Sequence, residues 1–308
     1  MDLALDLTQL LINGVALGSI IALASVGLTL TYGILRLPNF AHGDFLTLGA
    51  FLTFLFNTQL FSKVVFHIPW LDAWFKGANI WFSIALATLI TIASFLVCEI
   101  LIWSRMRDRK ATSTTLIIIS IGLALFIRNA IIFIWGGGNQ SYDLSVSTAM
   151  ELGSGLKIPY YRLVVIGLAI LAVLGLHFLL QNTKIGKAMR AVADDIDLAS
   201  VSGIDVERVV LWTWVLTGGL TALSGGMYGL ITAVRPNMGW FLILPMFASV
   251  VLGGIGNPYG AIAGALIIGV AQEVSTYWLP SEYKLGVALL VMVVVLLIRP
   301  QGIFKGTL

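Results

Sequence analysis

The 308 residues are 58% hydrophobic and only 11% charged, against about a quarter charged in an ordinary soluble domain. No water-soluble fold of this length could bury that much apolar surface, so the solvent for most of the chain is lipid. The formal charge of +3 does not point to nucleic acid, because the basic residues stand in short clusters between apolar runs, as topology signals do.

About twenty apolar residues cross a bilayer's hydrocarbon, and the chain predicts segments near 8–35, 40–61, 80–103, 113–135, 161–181, 209–234, 241–256, 259–279 and 284–298. The first run, from about Leu7 to Leu35, has no basic residues ahead of it and exceeds the apolar core of a cleaved signal, so it is read as the first membrane segment. Pro38 disfavours helical geometry at Leu37, which predicts a break at Asn39-Phe40-Ala41-His42-Gly43-Asp44. Polar groups beside exposed backbone there would either line a solute path or cap the next helix, Asn39 taking its first free amides. The stretch from Phe61 to Asn79 reads as an external loop whose Phe66, Trp70, Trp74 and Phe75 form an interfacial aromatic belt. Cys98, the lone cysteine, lies within an apolar run and reads as packing, with no disulfide framework or cysteine-based metal site. His42, His67 and His177 are dispersed, so no metal centre is expected.

Arg128 and Glu273 are the ionisable residues deepest in apolar runs, with Asn129 and Gln272 beside them, while Glu99 is near enough to a segment end to snorkel. Arg128 and Glu273 would form either an intramembrane ion pair or a charged site for a zwitterionic solute. Phe241 to Gly256 is short and predicts a broken or re-entrant helix, tolerated where bare backbone faces protein or a wet cavity. Gly253, Gly254 and Gly256 either line the solute route or serve close packing, with Gly256, Gly260 and Gly264 four apart on one helix face.

Orientation follows from Lys and Arg in short loops. Arg105, Arg107, Arg109 and Lys110 crowd one loop, Lys184, Lys187, Arg190 and Arg208 another, and Arg299 and Lys305 follow the last run. These regions are predicted to be cytoplasmic, and Gly136 to Tyr160 external. With Asp2 and Asp6 but no Lys or Arg ahead of Leu7, nine crossings put the N-terminus outside and eight put it inside. Gly14 to Leu30, followed by Asn39 to Gly43, has a loose echo in Gly218 to Ala233 followed by the glycines near 253. Five segments separate the two starts, so a true repeat would be inverted in the membrane, as in many transporters; the rival is a chance echo of Gly and Ala-rich sequence.

The longest polar insertion runs from Asn182 to Asp195 and on to Gly203 and Ile204. Ile185, Met189 and Val192 recur at helical spacing and Gly203 can end a helix. Such an amphipathic helix either lies on the membrane surface as a connector or docks into a groove on a soluble partner. No GxxxxGK[ST] sequence occurs, since Gly186-Lys187 is followed by Ala188, so the chain carries no phosphate loop of its own.

The insertion resembles the coupling loop of permease subunits of ATP-binding cassette importers. Further matches are Asn13-Gly14-Val15 with Leu17-Gly18-Ser19, Asn39-Phe40-Ala41-His42-Gly43, Leu252-Gly253-Gly254-Ile255-Gly256 with Pro258 and Gly260-Ala261, Glu282-Tyr283, and Pro300 with Gly302-Ile303. Together, over residues 10 to 306, they are similar to permeases for branched-chain and neutral amino acids of the LivH type. Pro38 directly before Asn39 and the aromatic stretch after Phe61 depart from that pattern and bear on substrate preference.

The fold expected is therefore an all-α integral membrane protein of about eight or nine transmembrane or re-entrant helices, a single permease domain over residues 1–308 with a cytoplasmic coupling loop at about 182–208. The resemblance implies a multi-pass protein of the bacterial inner membrane that forms half of a translocation pathway. Its implied partners are a second related permease, two ATP-binding cassette ATPases that bind the ATP, and an extracytoplasmic solute-binding protein; the chain itself holds no cofactor. Gly186, Arg190, Ala191, Asp194, Ala199, Gly203 and Ile204 would form the coupling surface. Urea or short amides would suit the same architecture. An ion-coupled secondary transporter using Asp44 or Glu273, or a passive channel, are the rival classes. No catalytic residues are expected.

Overall fold

The computed structural model describes residues 3–64, 69–144, 149–152, 156–299 and 301–304. Asp2, Phe66, His67, Pro300 and Lys305 therefore lie outside the described residues. Helices account for nearly everything described: α1 (Leu3–Leu35), α2 (His42–Phe54), α3 (Pro69–Cys98), α4 (Ser104–Asp108), α5 (Ser113–Trp135), α6 (Tyr160–Asn182), α7 (Lys184–Asp194), α8 (Ile196–Val201), α9 (Val206–Ile231), α10 (Met238–Gly253), α11 (Pro258–Val274) and α12 (Lys284–Ile298). A π-helical segment, Leu55–Leu60, prolongs α2, and another, Glu99–Trp103, joins α3 to α4. The membrane segment expected from residue 80 begins at Ala78, within a helix that starts earlier, at Pro69, a residue suited to a helix's first turn because its missing amide would have no partner there. Trp70, Trp74 and Phe75 thus fall on α3 rather than on a loop. The other departure is a small hairpin, Ala149–Leu152 paired antiparallel with Leu156–Pro159.

Seven helical stretches are long and apolar enough to cross a membrane, and Met238–Gly253 is a shorter apolar helix. Together with α2 and its π-helical extension they give nine membrane elements. The central spans are α1 and α9, 67% buried, while α5 and α6 are only 22% buried and the last span 6%, so the latter lie at the periphery of the bundle. Lipid removes the hydrophobic drive between helices, and small residues at the contacts take over. Gly14 and Gly18 of α1 lie directly against the backbone of Gly269, Val270 and Leu266 of α11.

Around this centre the chain repeats itself upside down. α1 and α9 are antiparallel: the Ile20 carbonyl accepts from Ser224 Oγ (2.9 Å) and the Gly27 carbonyl from Thr217 Oγ1 (3.1 Å). Each is followed by six non-helical residues, 36–41 and 232–237, and then by a short helix, α2 or α10. α2 packs on α9 and α10 on α1, and likewise α3 packs on α9 and α11 on α1. The two short helices meet at Gly43 and Gly239, each the second residue of its helix. An added Cβ on either would collide with the other's carbonyl. Gly43 also faces Ile243 while the Gly239 amide donates to Thr47 Oγ1 (3.0 Å), and Thr47 and Ile243 are again the same position of the two helices. The inverted echo is therefore present, but in a different register from the sequence reading: the counterpart of His42-Gly43 is Met238-Gly239, not the glycines near 253.

The three basic regions gather at one end. Trp103 near the end of α3 stacks on Trp214 near the start of α9, with ring centroids 6.4 Å apart. α7 packs on α1 and α9. The tail after α12 returns to the end of α10, where the Ile303 amide donates to the Leu252 carbonyl (2.8 Å). The positive-inside rule predicts this end to be cytoplasmic, and nine crossings would then put the start of α1 outside.

Candidate functional site

Polar groups concentrate where α2 begins inside the bundle. Asn39 and His42 are fully buried and Asp44 is 1% exposed. The break before α2 is held by side chains: Asn39 Oδ1 accepts from the Ala41 amide (3.0 Å), and Ser120 Oγ of α5 accepts from the Phe40 amide (3.1 Å). His42 Nε2 lies 2.9 Å from the Ala24 carbonyl and 3.1 Å from Thr221 Oγ1. A carbonyl can only accept, and Thr221 Oγ1 gives its own proton to the Thr217 carbonyl (2.6 Å), so Nε2 carries the imidazole proton. His42 Nδ1 is then an acceptor, and it and the donor Asn39 Nδ2 have no partner among the described residues. A buried polar group left unmatched costs about 1–3 kcal/mol, so these two atoms are available to water or to a polar solute.

Arg128 does not reach Glu273. Its Nε and Nη2 donate to Asp44 Oδ1 and Oδ2, both at 2.9 Å, and its guanidinium lies 4.9 Å from the centre of the Trp240 ring. Glu273 instead accepts from Lys284 Nζ at 2.6 Å. The expected pair fails because α5 packs on α2 whereas α11 packs on α1, α10 and α12. Sequence depth identified both charges and missed both partners. Glu99 also differs from its expectation: it is 3% exposed rather than snorkelled, and it accepts from Trp214 Nε1 (2.6 Å) and from Arg107.

At the basic end, Thr183 Oγ1 caps α7 by accepting from the Gly186 amide (3.1 Å). Of the face its periodicity predicts, the helix buries Met189 and Val192 and half-buries Ile185; it also buries Gly186 and leaves Arg190 and Asp194 exposed. Asp195 starts α8 by accepting from the amides of Asp197 and Leu198, both at 2.9 Å. α8 is followed, past its capping residue Ser202, by Gly203, whose φ of +85° suits glycine. Ala199 is buried, and Ala191 and Ile204 are partly so. Absent from the sequence reading are Ile196, Leu198 and Val201 on α8, which are 44%, 63% and 81% exposed although they lie outside every candidate span. Their only sequence signal is three large apolar residues in a six-residue helix.

A polar chain ties α7 to the bundle. Arg190 donates to Gln181 Oε1, Gln181 Nε2 lies 3.3 Å from Tyr259 Oη, and Tyr259 Oη lies 2.9 Å from His177 Nδ1. Beside it is a cavity of about 270 Å³ walled by Thr29, Gly33, Met189, Arg190, Gly256 and Tyr259 among others. Of the three candidate path glycines only Gly256 borders it. Gly253 packs on Gly260, and Gly254 on Gly302. Gly256 also precedes α11 rather than joining it, so it does not share a helix face with Gly260 and Gly264.

Comparison with known proteins bears on all of this geometry. The family model described as branched-chain amino acid transport system / permease component matches residues 10–296. The high-affinity branched-chain amino acid transport system permease protein LivH of Salmonella typhimurium is 32% identical over 96% of this chain and 94% of its own. BraD of Pseudomonas aeruginosa, with the same description, is 27% identical over 96% and 94%, and a probable branched-chain amino acid transport permease protein LivH of Methanocaldococcus jannaschii is 28% identical over 96% and 91%. No solved structure matches.

Proposed function

Because this chain belongs to the branched-chain amino acid transport system permease component family, we propose that it is the membrane subunit of an ATP-binding cassette importer for neutral and branched-chain amino acids in the bacterial inner membrane. In this reading it forms half of the pathway with a second related permease. An extracytoplasmic binding protein delivers the solute, and two separate ATPase subunits bind ATP and supply the energy. The α7–α8 region, with Gly186, Arg190, Ala191, Asp194, Ala199, Gly203 and Ile204, is the coupling surface, and Asn39, His42, Asp44 and Gly256 stand along the path.

The observation that carries this reading is the exposure of the large apolar side chains of α8. Ile196, Leu198 and Val201 project outside the spans at the basic end, next to an amphipathic helix tied to α6 and α11 by the Arg190–Gln181–Tyr259 chain. Apolar side chains at such a position favour a protein groove over water. Closure of two ATPases beneath them would push α7 against the ends of α1 and α11 and shift the bundle between outward-open and inward-open states. The carboxylates a cation-driven carrier would use, Asp44 and Glu273, are both held by protein cations, which argues against ion coupling.

Purification from the native membrane tests the coupling surface. Leu198→Asp with Val201→Asp is expected to lose the ATPase subunits while retaining the second permease. Retention of the ATPases by that variant would overturn the assignment.

A further inference from the structure

At the end of the bundle opposite α7 lies a second cavity, about 630 Å³, within the range of small-molecule sites. Its charges are of both signs and are unequally committed. Glu273 is paired with Lys284, and Arg162 donates to Asn13. The Arg235 guanidinium and the Glu282 carboxylate also line the cavity; both residues are exposed, and neither side chain has a hydrogen-bond or ion-pair partner among the described residues. The same wall includes apolar residues, Leu17 of α1 and Phe241, Leu242 and Pro245 of α10.

We propose that this cavity is the entry subsite of the permease and takes an α-amino acid zwitterion with an aliphatic side chain, Arg235 receiving the carboxylate, Glu282 the ammonium group, and the α1–α10 wall the side chain. The assignment rests on the amino acid permease reading above, and adds to it a place and a set of contacts. A zwitterion offers a partner to both charges at once, whereas a monoanion or a monocation offers a partner to one and a neutral amide a charged partner to neither. Arg235 sits in the six-residue segment 232–237 that leads into α10, the inverted counterpart of the break that carries Asn39. A solute held there touches the element whose first turn packs on α2 at Gly43, so occupancy is felt at the centre of the bundle.

The test uses the whole transport complex in lipid nanodiscs, without its binding protein, and a diazirine analogue of leucine as photoprobe. Labelled positions are mapped by mass spectrometry, and the label is competed with leucine, leucinamide and 4-methylpentanoate. The expected result is labelling at Leu17 or in the segment 241–245, with leucine competing at least about tenfold better than either singly charged analogue, as loss of one charge-assisted hydrogen bond implies. Arg235→Gln should abolish the preference for leucine over leucinamide, and Glu282→Gln the preference over 4-methylpentanoate, whereas a role in docking the binding protein would leave both preferences intact. Labelling elsewhere, or unchanged preferences in both variants, would overturn the subsite. ATPase subunits in the same preparation are scored separately: if they co-purify while the cavity fails to label, the subsite falls and the importer reading stands; if the cavity labels in a preparation without them, the reverse holds.

Discussion

At the scale of single residues, the Asp44–Arg128 pair is the largest local commitment, with the two side chains 1% and 15% exposed. Removing one partner strands a charge in low dielectric, which typically costs about 3–5 kcal/mol. Asp44→Ala and Arg128→Ala are each expected to lower the thermal unfolding midpoint in detergent strongly, and Asp44→Leu with Arg128→Met to recover most of it. Equal midpoints for wild type and single variants would contradict that account. Tyr142, on the external loop after α5, donates to the Ala50 carbonyl (3.2 Å), and burial pushes its phenol well above the ordinary tyrosine value. An acid whose folded value is raised stabilises below its unfolded value, near 10, and that contribution is lost as pH rises beyond it. Tyr142→Phe should cost about 1 kcal/mol at neutral pH and should show a smaller loss of stability between neutral and strongly alkaline pH. Sequence depth alone marked Arg128 and Glu273, because an ionisable residue in an apolar run is conspicuous anywhere. Their partners were not legible, since each pairing depends on which helices touch.

At the scale of elements, α7 was legible because its apolar residues recur at helical spacing and Gly203 stops the chain after α8. The exposed side chains of α8 were not, because three large apolar residues in six carry no period. The inverted repeat was glimpsed but misregistered. Its halves share backbone course and the small residues where they touch, and little else: His42-Gly43 answers Met238-Gly239. That equivalence is testable, because Gly43 and Gly239 press on one another's carbonyls. Gly43→Val and Gly239→Val should both be destabilising by about 3 kcal/mol or more, as overpacking against backbone is, and by similar amounts, read as aggregated protein in size-exclusion profiles of detergent extracts. A large effect at one position and none at the other would contradict the reciprocal contact.

For the whole molecule, nine crossings with an external start and a cytoplasmic end follow from the basic clusters. In a Cys98→Ala background, Thr8→Cys should react with an impermeant maleimide added outside intact cells, and Lys110→Cys only after the membrane is opened; the opposite pattern would invert the topology. The fold class was legible from composition because lipid demands long apolar helices, whereas the cavities and their charges arise only when distant segments meet. The central claim is that this chain moves amino acids on energy supplied by separate ATPases. The most direct measurement is uptake of radiolabelled leucine into vesicles carrying the purified complex and the binding protein outside, with ATP trapped inside. The account predicts accumulation that requires lumenal ATP, persists when ion gradients are collapsed, and vanishes in the Leu198→Asp, Val201→Asp variant. Accumulation driven by an ion gradient in the absence of ATP would contradict it.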